Sequence, residues 1–177
     1  KVGGTCLHRG CIPTKALLES AEVLSLVRRG PEFGIEAQEP HFDYGQMLSR
    51  KQQIVDQLYK GVEGLLRNNK VVLQRGTGKF LSPTQIQVTP AEGPASVLEA
   101  KHTIIATGSA PKSLPGLEID GETVLSSDHI LALASPPSSL LIIGAGAVGV
   151  EFASLFSDLG SQVTLVEALP TLVPLED

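Results

Sequence analysis

Tryptophan is absent from this sequence, and aromatic residues make up only 4% of its 177 residues. Surfaces on which nucleic-acid bases stack depend on such side chains, and a net charge of −5 gives no general attraction for phosphates. The longest apolar stretch, LLIIGAGAVGV at 140–150, is too short and too rich in glycine to span a bilayer. We therefore expect neither a nucleic-acid partner nor a membrane.

Cysteine is also scarce, and both cysteines, Cys6 and Cys11, lie in GGTCLHRGCIPTK at 3–15. Two cysteines do not make a disulfide-stapled scaffold, and no signal peptide is visible. A zinc site needs about four ligands, and only His8 lies near. A structural disulfide closing so small a loop would remove little chain entropy. A redox-active pair remains, with Cys6 on a loop and Cys11 at a helix start that favours a thiolate.

The first two thirds of the sequence have the pattern of two helices followed by short strands. Pro13 suits the first turn of a helix, where its missing N–H needs no partner, and Gly30-Pro31 ends that helix. The predicted helices cover 13–29 and 44–68. An antiparallel meander is predicted from short strands at 71–74, 79–81, 85–89 and 96–99. A buried strand is predicted after it at 102–111. A proline- and serine-rich connection follows, with a short helix near 127–134.

A βαβ unit near the end of the sequence gives the clearest pattern. Its predicted strand, glycine turn, helix and second strand lie at 140–143, 144–149, 150–159 and 162–166. In this context GAGAVG is typical of a dinucleotide-binding turn. Gly144 permits the tight turn, Gly146 lets the backbone approach a pyrophosphate, and Gly149 lets the helix pack close to the strand. The helix N-terminus then offers N–H groups and a positive dipole to the phosphates.

Glu167 directly follows the second strand, where a carboxylate binds the hydroxyls of a ribose. A 2′-phosphate at that position would need nearby cations, and no Lys or Arg lies between 160 and 177. The sequence therefore favours NAD over NADP.

Three motifs together resemble the flavin-dependent pyridine nucleotide–disulfide oxidoreductases. GGTCLHRGCIPTK is similar to their redox-disulfide signature, and ATGS at 106–109 to their flavin-contacting strand end. GAGAVGVEFASLF followed by VTLVEALPTLVP is similar to the start of their NAD-binding domain. The resemblance implies an α/β fold that binds FAD and NAD(P), with two domains, a Rossmann-like βαβ unit and an antiparallel β-meander insert. It assigns 1–112 to the FAD-binding domain, 113–139 to a connection and 140–177 to the NAD-binding domain.

The resemblance also implies residue roles. Cys6 would be the interchange thiol that meets the substrate sulfur, and Cys11 the charge-transfer thiolate against the flavin. Lys15 would lie near the flavin and pair with Glu151, which matches a family acid near the nicotinamide. The remaining FAD contacts would be Gly78, Thr107, Gly108 and Ser109. The NAD contacts would be Gly144, Ala145, Gly146, Ala147, Val148, Gly149, Val150, Glu151 and Glu167. We interpret His8 as a loop residue rather than a base.

The Ile-Pro-Thr-Lys tail is most similar to the branch that oxidises dihydrolipoamide to lipoamide and reduces NAD. This implies a homodimer that works with the lipoyl domain and E2 subunit of a 2-oxoacid dehydrogenase complex, in the cytoplasm or the mitochondrial matrix. The alternatives are a related mercuric or glutathione reductase and an inactive nucleotide-binding fragment. The family's first glycine motif and its catalytic His and Glu find no match here. We therefore expect the sequence to be an internal segment, incomplete at both ends.

Overall fold

The computed structural model describes residues 1–36, 38 and 40–173. The helices and strands, in chain order, are α1 Gly4–Arg9, α2 Cys11–Arg28, a 3₁₀ turn Gly30–Phe33, α3 Tyr44–Asn68, β1 Thr77–Ser82, β2 Gln85–Thr89, β3 Ser96–Glu99, α4 Ser127–Ile130, β4 Ser139–Ile143, α5 Ala147–Asp158 and β5 Gln162–Val166. They form two compact units: the first contains Lys1–Lys60 and the described part of Ala110–Asp177, and the second contains Gly61–Ser109. The domain boundaries expected after 112 and 139 stay a prediction, and the last four residues of 140–177 lie outside the described ranges.

The first unit begins with two helices where one helix was predicted. The expectation of a loop around Cys6 was wrong, because residues 4–9 form α1. Helix α2 begins at Cys11 rather than Pro13, so Cys11 is its first residue, as the thiolate argument requires. Gly10 separates the two helices with φ −135° and ψ −114°, well away from helical values.

The core of the first unit lies between α2, α3, α4 and α5. Its fully buried side chains of largest volume are Phe156, Leu17 and Leu155. Burying a side chain of this size contributes about 1.5–3 kcal/mol. Leu17 belongs to α2 and the other two to α5, so this packing holds the cysteine-bearing helix against the helix that follows the glycine turn.

The predicted βαβ unit is confirmed. Strands β4 and β5 pair in parallel, from Ser139 opposite Gln162 to Ile143 opposite Val166, with α5 between them in the chain. Helix α5 begins at Ala147, three residues before the predicted Val150, so the second half of GAGAVG forms its first turn. The short helix expected near 127–134 is present as α4.

The second unit contains the predicted meander in a reduced form. Strands β1, β2 and β3 make a three-stranded antiparallel sheet. The strands expected at 71–74 and 102–111 were wrong, since both segments are irregular and Ile104 is 91% exposed. A strand needs a hydrogen-bonded neighbour, and the ladders among the described residues join β1 to β2, β2 to β3, and β4 to β5. An apolar run was therefore not sufficient to predict a strand at 71–74 or at 102–111.

Within the described ranges, no helix combines the length and the apolar character that crossing a bilayer requires.

Candidate redox and nucleotide-binding site

The two cysteines form a disulfide that joins α1 to the first residue of α2. Their Cα atoms lie 4.7 Å apart, within the range that a disulfide bridges. Gly10 favours this approach, because a Cβ there would lie 3.2 Å from both Cys6 Cα and the Thr5 carbonyl oxygen, which is a tight contact. The predicted pairing of Cys6 with Cys11 is therefore confirmed, and both residues are exposed.

Cys11 lies at the N-terminus of an 18-residue helix. The Gly10 carbonyl accepts hydrogen bonds from the Thr14 N–H at 3.1 Å and the Thr14 hydroxyl at 2.7 Å, which fix the first turn. Pro13 has no N–H, and the preceding amides have no acceptor within the helix. The positive end of the helix dipole is thus directed at Cys11, which favours its thiolate over its thiol.

His8 lies on α1 between the two cysteines, so its assignment to a loop was wrong. Its Nε2 donates a hydrogen bond to the Val2 carbonyl at 2.7 Å. The ring also lies against Tyr59, with 5.4 Å between the ring centroids. These contacts give His8 a structural role on α1, and the interpretation that it is not a base stays a prediction.

Lys15 and Glu151 form the ion pair that was predicted for them. The Lys15 ammonium on α2 donates to Oε1 of Glu151 on α5. The side chains are 59% and 30% exposed, and pairs of this kind contribute little to stability. The pair therefore matters for the relative position of two elements, because it links the helix of Cys11 to the helix of the glycine turn. The roles of both residues toward a flavin or a nicotinamide stay predictions.

The glycine turn between β4 and α5 requires glycine at two positions. Gly144 has φ 103°, in the left-handed region, and its N–H donates to the Val166 carbonyl at 2.8 Å. A Cβ on Gly149 would overlap the carbonyl oxygen of Gly144. A Cβ on Gly146, in contrast, would meet no protein atom within 4 Å. The tight turn and the close packing are as predicted, and the pyrophosphate contact at Gly146 stays a prediction.

The start of α5 has the groups that a nucleotide phosphate needs. The Val150 N–H donates to the Gly146 carbonyl and opens the hydrogen-bond ladder of the helix. The amides of residues 147–149 consequently have no acceptor within the helix. The space beside Gly146 lets a ligand approach these amides, so the turn fits the pyrophosphate of a dinucleotide.

Glu167 ties the end of β5 to the glycine turn. Its Oε2 accepts the Ala145 N–H at 2.7 Å, and its Oε1 accepts the N–H groups of Ala168 at 2.7 Å and Leu169 at 3.0 Å. These hydrogen bonds, that of Ala145 first, hold the pKa of Glu167 below its usual value by stabilising the carboxylate. The ribose contact stays a prediction. The bond to Ala145 was not predicted, although Glu167 directly follows the strand beside that turn.

Four residues of the second unit are expected to contact FAD. Three of them lie in an exposed segment, and the fourth lies on a strand. Thr107, Gly108 and Ser109 are exposed, and Gly108 has φ 88° with no protein atom within 4 Å of an added Cβ. This backbone is open to close approach by a ligand. Gly78 pairs with Val88 in the meander, where a Cβ would make only an ordinary 3.6 Å contact with Ile86. The structure therefore gives no steric reason for glycine at 78, and all four contacts stay predictions.

Comparison with known proteins identifies relatives along the whole chain. A family description, pyridine nucleotide-disulphide oxidoreductase, matches residues 1–177. A dihydrolipoyl dehydrogenase of Bacillus subtilis is 46% identical, over 100% of this chain and 39% of that protein. A mitochondrial dihydrolipoyl dehydrogenase of Pisum sativum is 43% identical, over 99% of this chain and 35% of that protein. The crystal structure of LpdA from Mycobacterium tuberculosis is similar with a TM-score of 0.86 and 27% identity, over 96% of this chain and 38% of that one.

Proposed function

This chain belongs to the pyridine nucleotide-disulphide oxidoreductase family, and we propose that it provides the disulfide and the nucleotide-binding turn of an enzyme that oxidises dihydrolipoamide to lipoamide. The chain spans 39% of the length of its Bacillus subtilis relative, so the proposal concerns the whole protein to which these residues belong. The observation that carries it is the disulfide between Cys6 and Cys11 across the break between α1 and α2.

The disulfide accepts the electrons of the dithiol by thiol–disulfide exchange. A thiolate of dihydrolipoamide attacks Sγ of Cys6, the bond between the two cysteines breaks, and Cys11 leaves as a thiolate. The second substrate thiolate then attacks the substrate sulfur bound to Cys6 and releases lipoamide. Two electrons remain on the protein dithiol. The N-terminus of α2 favours Cys11 as the leaving thiolate, because the positive end of the dipole lies there.

The residues of this chain fit both expected cofactors. When bound, FAD and NAD supply the electron relay and the final hydride acceptor. Thr107, Gly108 and Ser109 would hold part of the FAD, and Lys15 would lie near its ring. Gly146 and the amides at the start of α5 would hold the pyrophosphate of the NAD.

The proposed preference for NAD rests on Glu167. Its pKa is lowered by backbone hydrogen bonds, so the carboxylate is ionised at neutral pH and accepts hydrogen bonds from ribose hydroxyls. The same charge repels a 2′-phosphate, and no Lys or Arg lies between Gly160 and Asp177 to offset it.

The proposed setting is a 2-oxoacid dehydrogenase complex. There the substrate is carried by a lipoyl domain attached to the E2 subunit, and the whole protein acts as a homodimer. The support is the similarity to bacterial and mitochondrial dihydrolipoyl dehydrogenases. The proposed location is accordingly the cytoplasm or the mitochondrial matrix.

The test is a substrate comparison with the full-length protein. NAD reduction by dihydrolipoamide is compared with NADPH oxidation by glutathione disulfide and by mercuric ion. We expect turnover with dihydrolipoamide and its loss in Cys6→Ser and Cys11→Ser variants. Turnover with mercuric ion or glutathione disulfide alone would reject the substrate assignment. A folded protein that binds nucleotide but turns over none of these substrates would reject the assignment of enzymatic activity.

A further inference from the structure

Helix α1, which bears Cys6, has few means of staying in place. It has six residues, of which only Leu7 is buried. An isolated helix of this length is not stable in water. The disulfide ties α1 to α2, but the proposed exchange opens that bond in every cycle. The contacts that hold α1 while the bond is open therefore decide where the Cys6 thiol lies.

Arg9 provides such a contact to an element fixed in the core. Its guanidinium donates to Oδ2 of Asp128 at 2.9 Å. Asp128 belongs to α4, in which Ile130 is part of the hydrophobic core. Arg9 follows Cys6 by three positions on α1, so the two side chains are neighbours on one helix face. The ion pair thus joins the face that carries Cys6 to α4.

The same arrangement occurs at the second cysteine. Lys15 follows Cys11 by four positions on α2, and it pairs with Glu151 on α5. Each cysteine is thus followed, one helical turn later, by a basic residue whose acidic partner lies on a distant element. The pairs Arg9–Asp128 and Lys15–Glu151 join residues 119 and 136 positions apart in the chain.

We propose that Arg9 is a positioning residue for Cys6. Paired with Asp128, it keeps α1 in place while the disulfide is open, so that the Cys6 thiol stays within reach of Cys11. The effective concentration of the Cys6 thiol near the Cys11 thiol is thereby raised, which favours closure of the disulfide. The inference rests on the proposed exchange function of the disulfide.

The test measures the equilibrium between disulfide and dithiol in the full-length protein. The protein is equilibrated with reduced and oxidised dithiothreitol in set ratios. One reagent thiolate attacks the protein disulfide and breaks it, and the second closes the reagent ring. Two electrons pass to the protein, which takes up two protons as thiols, and the reagent leaves as its cyclic disulfide. Alkylation with iodoacetamide and mass spectrometry of the cysteine peptide then give the open fraction.

The expected result is a shift toward the dithiol in both single variants. Arg9→Met and Asp128→Asn should each lower the equilibrium constant for closure by about two- to fivefold, the scale of one exposed ion pair. The double variant should shift no further, since either change removes the same contact. Arg29→Met is the matched control, because its pair with Glu32 at 3.0 Å is also exposed and lies at the other end of α2.

Three results would overturn the proposal. The first is an equilibrium constant for closure that is the same in Arg9→Met and Asp128→Asn as in Arg29→Met. The second is an equilibrium between disulfide and dithiol that moves in one direction in Arg9→Met and in the other direction in Asp128→Asn. This would indicate that Arg9 acts only by its charge on the thiolates. The third is a wild-type disulfide that does not open in the reagent series, and this result alone would also reject the proposed function.

Discussion

Gly146 and Gly149 belong to the same turn, but a methyl group added to each would meet different surroundings. At 149 it would overlap the carbonyl oxygen of Gly144, which is backbone and cannot rotate away. At 146 it would meet no protein atom within 4 Å. At the residue scale, one position is therefore required by the fold, and the other is open to a ligand.

Gly149→Ala should consequently weaken the fold, and Gly146→Ala should weaken only nucleotide binding. We expect the first to cost about 1–3 kcal/mol of unfolding free energy, the usual cost of forced overpacking. The second should stay within about 0.5 kcal/mol of wild type, as surface changes do, but bind NAD less tightly. Urea unfolding and an NAD titration of the full-length variants measure both. Equal stability of the two variants would contradict the described turn.

Glu167 should make stability depend on pH in the acid range. Its folded pKa lies below the ordinary value of 4.5 because backbone N–H groups, that of Ala145 first, stabilise the carboxylate. A lowered pKa stabilises the fold above the unfolded value, and this stabilisation is lost as the pH falls through the folded value. The advantage of wild type over Glu167→Gln should therefore be present at neutral pH and shrink below about pH 4.5. Unfolding free energies measured from pH 3 to pH 7 test this, and an advantage that is constant with pH would exclude the mechanism.

At the scale of elements, the packing of α2 on α5 determines which distant residues meet. Leu17 of α2 shares a core with Leu155 and Phe156 of α5, and the same contact brings Lys15 to Glu151. The ion pair is partly exposed, so it is a consequence of the helix packing rather than its cause.

Replacing Lys15 with Met should therefore change electron transfer more than stability. We expect a loss of at most about 1 kcal/mol in unfolding free energy, as for other exposed pairs. Flavin reduction by NADH in the full-length protein should slow, with Arg29→Met unchanged as the control. Stopped-flow absorbance measures the rate. If Lys15→Met reduces its flavin at the wild-type rate, the proposed role of the pair is wrong.

Elements with long or regular patterns could be predicted from the sequence. Helix α3 has the predicted bounds of 44 and 68, and β2 and β5 have their predicted bounds as well. Helix α1 was missed because six residues between Gly3 and Gly10 are too few to show a helical period, and flanking glycines are typical of loops. The bond from Glu167 to Ala145 was missed since it depends on how β4 and β5 lie together.

At the scale of the whole molecule, strand pairing was the property that sequence did not determine. Ile104 and Ile105 lie in an apolar run that predicts a strand, yet they are 91% and 72% exposed. A run of this kind indicates a preference for burial but does not identify a hydrogen-bonded neighbour. The described strands form ladders of their own, in which 102–111 takes no part. The residue roles at the site came from the resemblance and stay predictions. The residues of the disulfide and of the ion pair Lys15–Glu151 lie on α2 and α5, which the sequence predicted with shifted starts, and on α1, which it missed.

The central claim is that the Cys6–Cys11 disulfide accepts electrons from a dithiol substrate. The most direct measurement is anaerobic addition of one equivalent of dihydrolipoamide to the full-length protein without NAD, followed by alkylation and mass spectrometry of the cysteine peptide. The claim predicts that the disulfide opens, so that both Cys6 and Cys11 become alkylated, and that NAD added before the alkylating reagent restores the disulfide. A disulfide that stays closed while the same preparation reduces NAD with dihydrolipoamide would contradict it.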